Sequence, residues 1–179
     1  ADQYTVWTAD SSGKYLSNIG TVSGTSSTLE SLETSFHQDL NSDGHIGQNL
    51  AGAPTNDVLI ANPQGGILTG GAGNDTFVFN FPVNSASTIS DFSPGHDLLQ
   101  ISADGFGHGL TAGATPTLVI GVPAGISHAG PDGYFIFDNT DAHGGTVYWD
   151  ATGGSGADAT ALVHLQDVTS LHLTDFHLV

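Results

Sequence analysis

The chain has 179 residues, and 18 acidic residues against a single lysine or arginine give a formal net charge of −17. That charge repels phosphate backbones and anionic membrane surfaces, which excludes nucleic acid as a partner. With no cysteine there is no disulfide, zinc–thiolate site or thiol nucleophile, and no apolar run reaches the roughly 18 residues of a membrane span, so no membrane insertion is expected.

Twenty-five glycines, few charges and short apolar runs point to many turns and strands. The length suits one compact unit, or two small ones sharing a core. The chain starts without an initiator Met or a signal sequence, and is expected to be a fragment or a processed product.

Residues 3–20 predict a hairpin. Tyr4, Val6 and Trp7 precede the turn Asp10-Ser11-Ser12-Gly13, and Tyr15, Leu16 and Ile19 follow it. A helix comes next. Ser27 and Glu30 form the capping pair S-x-x-E, and Leu29, Leu32, Phe36 and Leu40 recur every three or four residues on one face. The helix runs into Asp39-Leu40-Asn41-Ser42-Asp43-Gly44-His45-Ile46, the opening of an EF-hand-like loop. Asp39, Asn41 and Asp43 offer side-chain oxygens, Gly44 makes the sharp turn, and the His45 carbonyl is the fourth candidate ligand. The twelfth position is Leu50, so water or a remote carboxylate would have to replace the usual bidentate acid. The alternative is an Asx-rich turn without an ion. Residues 1–50 read as one module and residues 51–179 as a second.

The second module opens on a ninefold repeat. Gly70-Gly71-Ala72-Gly73-Asn74-Asp75-Thr76-Phe77-Val78 fits the calcium-binding nonapeptide GGxGxDxUx at every specified position. Glycines such as Gly71 and Gly73 let the backbone turn tightly and aim carbonyls at a cation, and Asp75 adds a charged oxygen. An all-oxygen donor set suits calcium. Leu59, Leu68 and Phe77 are nine apart, and Asp57 lies eighteen residues before Asp75. In a parallel β-roll successive nonapeptides turn at opposite edges, so Asp57 and Asp75 are expected to share one calcium at the same edge. The first turn has Ala53 and Thr55 where glycine is expected. The middle repeat lacks an aspartate, so no metal is expected at the opposite edge.

Further strands are expected through Phe81, at Ile89-Ser90-Asp91-Phe92 and Asp97-Leu98-Leu99-Gln100-Ile101, linked by Ser93-Pro94-Gly95, and over 117–122, 134–138, 146–150 and 161–165, with a last segment near Phe176. Residues 103–116 read as a loop. The fold class is mainly β: a short parallel β-roll merging into a β-sandwich, with one α-helix in the N-terminal region.

No catalytic residue is assigned, and the chain is read as not an enzyme. Its nine histidines form no H-E-x-x-H. Gly153-Gly154-Ser155-Gly156-Ala157 misses the last glycine of G-x-S-x-G. Asp138, Asp141, Asp150 and Asp158 offer paired carboxylates for glycoside chemistry, but aspartates in such segments more commonly cap turns.

With these residues in view, 51–179 resembles the C-terminal end of a type I-secreted RTX (repeats-in-toxin) protein. Three runs carry the resemblance. They are the nonapeptide, the run Ile89-Ser90-Asp91-Phe92-Ser93-Pro94-Gly95-His96-Asp97-Leu98-Leu99-Gln100-Ile101, and the turn Tyr148-Trp149-Asp150-Ala151-Thr152-Gly153. Asp97, in the second run, is counted among the candidate metal ligands. Thr152 stands where the family's turn has a second aspartate. Residues 3–47 resemble the tryptophan-rich C-terminal domain, carried by Tyr4-Thr5-Val6-Trp7, Gly13-Lys14-Tyr15 and the segment from Leu32 to Gly44.

The RTX resemblance implies a secreted, extracellular protein with calcium as its cofactor. It also implies export through a type I transporter that engages residues 175–179. The carboxylates would disfavour folding in a low-calcium cytoplasm, and calcium would drive it outside. Two other readings stay open. One is a calcium-dependent adhesin or carbohydrate-binding module that meets glycans or a cell surface through Trp7, Tyr15 or Trp149. The other is part of a secreted hydrolase.

Overall fold

The computed structural model describes residues 3–9, 11–23, 29, 32, 36, 38, 40 and 49–179. Contacts divide the chain into two units, Ala1–Asn49 and Leu50–Val179.

The first unit contains the expected hairpin. Strands β1 (Gln3–Ala9) and β2 (Tyr15–Ser23) pair antiparallel, with Tyr4 opposite Val22 and Trp7 opposite Asn18. Gly13 completes the turn at φ +83°, which only glycine adopts without strain. Thr8 Oγ1 and Ser17 Oγ lie 2.7 Å apart across the strands. Leu29, Leu32 and Phe36 are helical, as expected from their spacing. Leu29 is buried, whereas Phe36 is exposed, so the apolar face is covered at one end and open at the other. Ser27 and Glu30 of the capping pair lie outside the described residues, as do Asp39, Asn41, Asp43 and His45.

The second unit is a parallel roll that grows into a two-sheet structure. Its first strands are β3 (Leu50–Ala51), β4 (Val58–Ile60), β5 (Gly66–Thr69), β6 (Thr76–Phe79), β7 (Ser87–Ile89) and β8 (Leu98–Ile101). They alternate between two sheets, so each strand pairs in parallel with the next but one. Leu50 pairs with Leu68, Val58 with Thr76, and Thr76 with Leu98. The first two offsets are the eighteen residues of a two-nonapeptide coil.

The sheets face each other because one residue in each nonapeptide is large and apolar and always lands inside. Leu59, Leu68 and Phe77 are all buried in one core with Ile89, Leu99 and Ile101. Each such side chain contributes roughly 1.5–3 kcal/mol by leaving water.

After β8 the chain widens one sheet. Strands β9 (Leu118–Ile120), β10 (Ser127–His128), β11 (Tyr134–Asp138), β12 (Gly144–Asp150), β13 (Gly154–Ser155) and β14 (Thr160–Gln166) follow. The larger sheet has the order β3-β5-β7-β14-β12-β11-β9, parallel in its roll part and antiparallel through β14-β12-β11. The last strand, β15 (Phe176–Leu178), returns to the smaller sheet beside β8, giving the all-parallel order β15-β8-β6-β4. The fold is thus mainly β, a parallel roll continued into stacked sheets, as the sequence indicates.

Two expectations need correction. Residues 103–116 are not all loop: Ala103–Phe106 forms one helical turn, whose Gly105 N–H donates to the Ser102 hydroxyl at 3.2 Å. Four residues are too few to show a periodicity. Trp149 is not an exposed platform but is buried against Phe135 and Phe106, with ring centroids 4.8 and 5.5 Å away. Its place on a central strand, between β11 and β14, puts it in the core.

Candidate metal centre

The turn before β4 and the turn before β6 lie directly on one another. Gly52 stacks on Gly70, Ala53 on Gly71, and Thr55 on Gly73. A Cβ on Gly71 would sit 2.7 Å from the Ala53 carbonyl oxygen, and one on Gly73 2.6 Å from the Thr55 carbonyl oxygen. Gly71 and Gly73 also have φ of +96° and +139°. The nonapeptide therefore needs these glycines both for backbone conformation and for close approach. Gly70 is needed for space, since a Cβ there would strike the Asp75 carboxylate.

The aspartates that end these turns form a ladder. The Asp57 N–H donates to Asp75 Oδ1 at 2.9 Å, and the Asp75 N–H donates to Asp97 Oδ1 at 2.9 Å. Asp57 Oδ2 accepts the Ala53 N–H at 2.7 Å, and Asp97 Oδ2 accepts the Ser93 N–H at 2.8 Å. Asp75 and Asp97 are buried and Asp57 is half-buried. Asp75 and Asp97 thus each cap the turn of the preceding coil, and Asp57 and Asp97 close their own turns. The Asn74 N–H repeats the pattern by donating to Asn56 Oδ1 at 3.0 Å.

Two further aspartates belong to this edge, and sequence reading did not assign them. Asp91 accepts the Gly70 and Gly71 N–H groups, one on each oxygen, both at 2.8 Å. Asp175 is buried and accepts the Gly95 N–H at 2.8 Å and the His172 N–H at 2.7 Å. It immediately precedes β15, as Asp57, Asp75 and Asp97 immediately precede β4, β6 and β8. An Asp just before a buried strand was the available signal.

The roll thus brings together Asp57, Gly71, Gly73, Asp75 and Asp97 from the sequence-derived set. Their donors are carboxylates and turn carbonyls, all oxygen, which suits a hard cation such as calcium. A carboxylate oxygen that accepts one N–H retains a second lone pair for a metal. Among the described residues, no three His, Asp or Glu side chains gather as a metal-binding group. A cation here would depend heavily on backbone carbonyls. At the opposite edge Asn62 closes its own turn, its Oδ1 accepting the Gln64 N–H at 2.9 Å.

Elsewhere aspartates cap turns. Asp138 accepts the Thr140 N–H at 3.0 Å, and Asp141 the His143 N–H at 2.9 Å. The latter bond is the main cause of the lowered pKa of Asp141. Burial, followed by the charge of neighbouring Asp150, pushes the Tyr134 hydroxyl up to about 12.

Residues 1–47 match the Tryptophan-rich Synechocystis species C-terminal domain. The match covers the hairpin unit and ends before the roll. A comparison with curated proteins finds no match.

Proposed function

We propose that the chain is a non-catalytic, calcium-binding folding and type I secretion module of a larger extracellular protein, with an RTX-type roll as its calcium-responsive part. The reading rests on the eighteen-residue stacking of the turns before β4 and β6. That stacking juxtaposes Asp57, Asp75 and the carbonyls beside Gly71 and Gly73 in a chain of net charge −17. Calcium would be held there by the carboxylates of Asp57 and Asp75 with turn carbonyls, and would neutralise charges that otherwise oppose the fold. Asp97 extends the same ladder by one rung. The loop Asp39-Asn41-Asp43, with the His45 carbonyl, is the second proposed calcium site.

Secretion fits the same cycle. In the folded unit Phe176 and Leu178 are buried, and the Val179 N–H donates to the Ile101 carbonyl at 3.0 Å. A transporter that engages residues 175–179 would therefore have to meet them before the unit folds. Low calcium inside the cell and higher calcium outside supply that order.

The test is to titrate calcium into EDTA-stripped protein, following far-UV circular dichroism and calorimetric stoichiometry. Binding with a gain of β structure supports the proposal. A chain that is fully folded without calcium and binds none refutes it.

One observation favours a second reading, a binding module for glycans or a cell surface. Trp7 and Tyr15 are 70% and 54% exposed, with ring centroids 6.0 Å apart on the hairpin. Glycan binding that is lost in Trp7→Ala would support that role.

A further inference from the structure

Beside the roll edge, the second unit carries a cleft of about 470 Å³. One wall is the turn of residues 90–94 between β7 and β8, and the other is the segment 166–170 that leaves β14. The cleft follows from the topology. Strand β14 lies parallel to β7 with Leu165 opposite Ile89, so both segments leave the sheet at the same end. Its size falls within the roughly 300–1,000 Å³ of small-molecule sites.

Both walls are tied to the body of the fold. Phe92 and Val168 are buried in the core cluster and anchor one segment each. Asp91 is exposed, yet its two oxygens accept the Gly70 and Gly71 N–H groups, both at 2.8 Å. A lone pair on each oxygen stays open to a ligand. Across the cleft, Asp167 has φ +58°, and its N–H donates to the His143 carbonyl at 2.8 Å. Asn139 Nδ2 donates to the Thr169 carbonyl at 3.0 Å. Walls fixed in advance lower the ordering cost of binding.

The lining is more polar than apolar and contains no Lys or Arg. Gln166, Asp167, Thr169 and Ser170 are exposed, and supply an amide, a carboxylate and two hydroxyls. An anion is repelled by Asp91, Asp167 and the net charge of −17. A simple cation would use the carboxylates and leave the amide donors idle. A ligand rich in hydroxyls uses both kinds of group, since each hydroxyl donates and accepts. We propose that this cleft binds a small neutral saccharide. Its hydroxyls donate to Asp91 and Asp167, and its oxygens accept from the Gln166 amide and the Thr169 and Ser170 hydroxyls. Its C–H face rests on the half-buried Pro94. The site lies apart from the Trp7–Tyr15 hairpin, and gives the second unit a recognition role beyond folding and secretion.

The experiment uses the whole chain, in calcium buffer, on an array of immobilised neutral mono- and oligosaccharides. Sialylated, sulfated and amine-bearing chitosan oligomers on the same array are the charged comparators. The strongest neutral hit is then titrated by calorimetry and by amide NMR. Gln166→Ala removes an exposed amide. Asp167→Asn removes the carboxylate but keeps a residue type that tolerates positive φ, so folding is expected to survive in both. Circular dichroism checks that it does, and Trp7→Ala is the comparison on the hairpin.

The expected result is a neutral saccharide whose Kd rises about tenfold or more in Gln166→Ala and in Asp167→Asn, and is unchanged in Trp7→Ala. Amide shifts should gather in residues 90–94 and 166–170. An array with no neutral hit would overturn the proposal. So would binding confined to the sialylated and sulfated sugars, or to the chitosan oligomers. A neutral hit that is lost in Trp7→Ala and untouched by the two cleft variants would place binding on the hairpin, and would overturn it as well. Calcium stoichiometry is a separate measurement, so failure of the roll reading leaves this result standing.

Discussion

Replacing Asp75 with Asn and with Ala separates the two tasks that the roll gives its carboxylate. Asp75 is 1% exposed, and its Oδ1 takes the Asp57 N–H at 2.9 Å. Alanine leaves that amide without its charged acceptor, a loss of about 1.5–3 kcal/mol. Asparagine keeps a carbonyl oxygen in place of Oδ1 and removes one charge flanked by Asp57 and Asp97 on neighbouring strands. At a strand spacing of about 4.8 Å and an effective dielectric constant of about 20, each such pair repels by roughly 3 kcal/mol before salt screening. In EDTA, Asp75→Asn should therefore be at least as stable as wild type. Asp75→Ala removes the same charge but also the capping oxygen, so it should melt about 4–8 °C below Asp75→Asn, taking about 2 kcal/mol for a chain of this size. Calcium at a hundredfold excess over Kd should stabilise wild type by about 2.7 kcal/mol through the roll site, and neither variant should gain that share. Thermal unfolding by circular dichroism, in EDTA and in calcium, measures all of this. If Asn falls as far as Ala in EDTA, capping by an uncharged oxygen is refuted. If calcium stabilises wild type and Asp75→Asn equally, the roll site is refuted.

Three other outcomes are expected. Gly73→Ala places a side chain at φ +139° with its Cβ 2.6 Å from the Thr55 carbonyl oxygen, and should destabilise by about 1–3 kcal/mol or more with or without calcium, as read by its melting temperature. Leu178→Ala opens a cavity under β15, where Leu178 is 2% exposed, and should cost about 2–5 kcal/mol in urea unfolding; a neutral result would mean that β15 is not docked. Tyr134 has a hydroxyl pKa raised from 10.0 to about 12 in the folded state, so its neutral form is the one the fold prefers. Its contribution is complete below the unfolded value and is lost as pH rises through the folded one. Calcium-free stability should thus decline across this alkaline window, and less so in Tyr134→Phe, when unfolding is followed against pH.

The roll's local rules were legible in the chain. The nine-residue spacing of Leu59, Leu68 and Phe77 fixes which side chains face inward, because each coil has one large apolar position and its neighbours are turn residues. The spacing of Asp57 and Asp75 likewise determined that their turns would share an edge, and Gly71 and Gly73 foretold the tight backbone between them. Chain proximity carried these results: residues eighteen apart in a two-nonapeptide coil must meet on adjacent rungs. Tertiary structure alone decided what distant segments contribute. Asp175 caps the turn at Gly95, eighty residues away, only because β15 docks beside β8. Trp149 looks like any aromatic near a glycine-rich turn until β11 and β14 enclose its strand on both sides. Asp150 reads as one more turn cap, and the burial of its second oxygen depends on what packs above it. Period and turn chemistry are local and survive in the sequence; burial and hydrogen-bond satisfaction are sums over every neighbour that folding brings in.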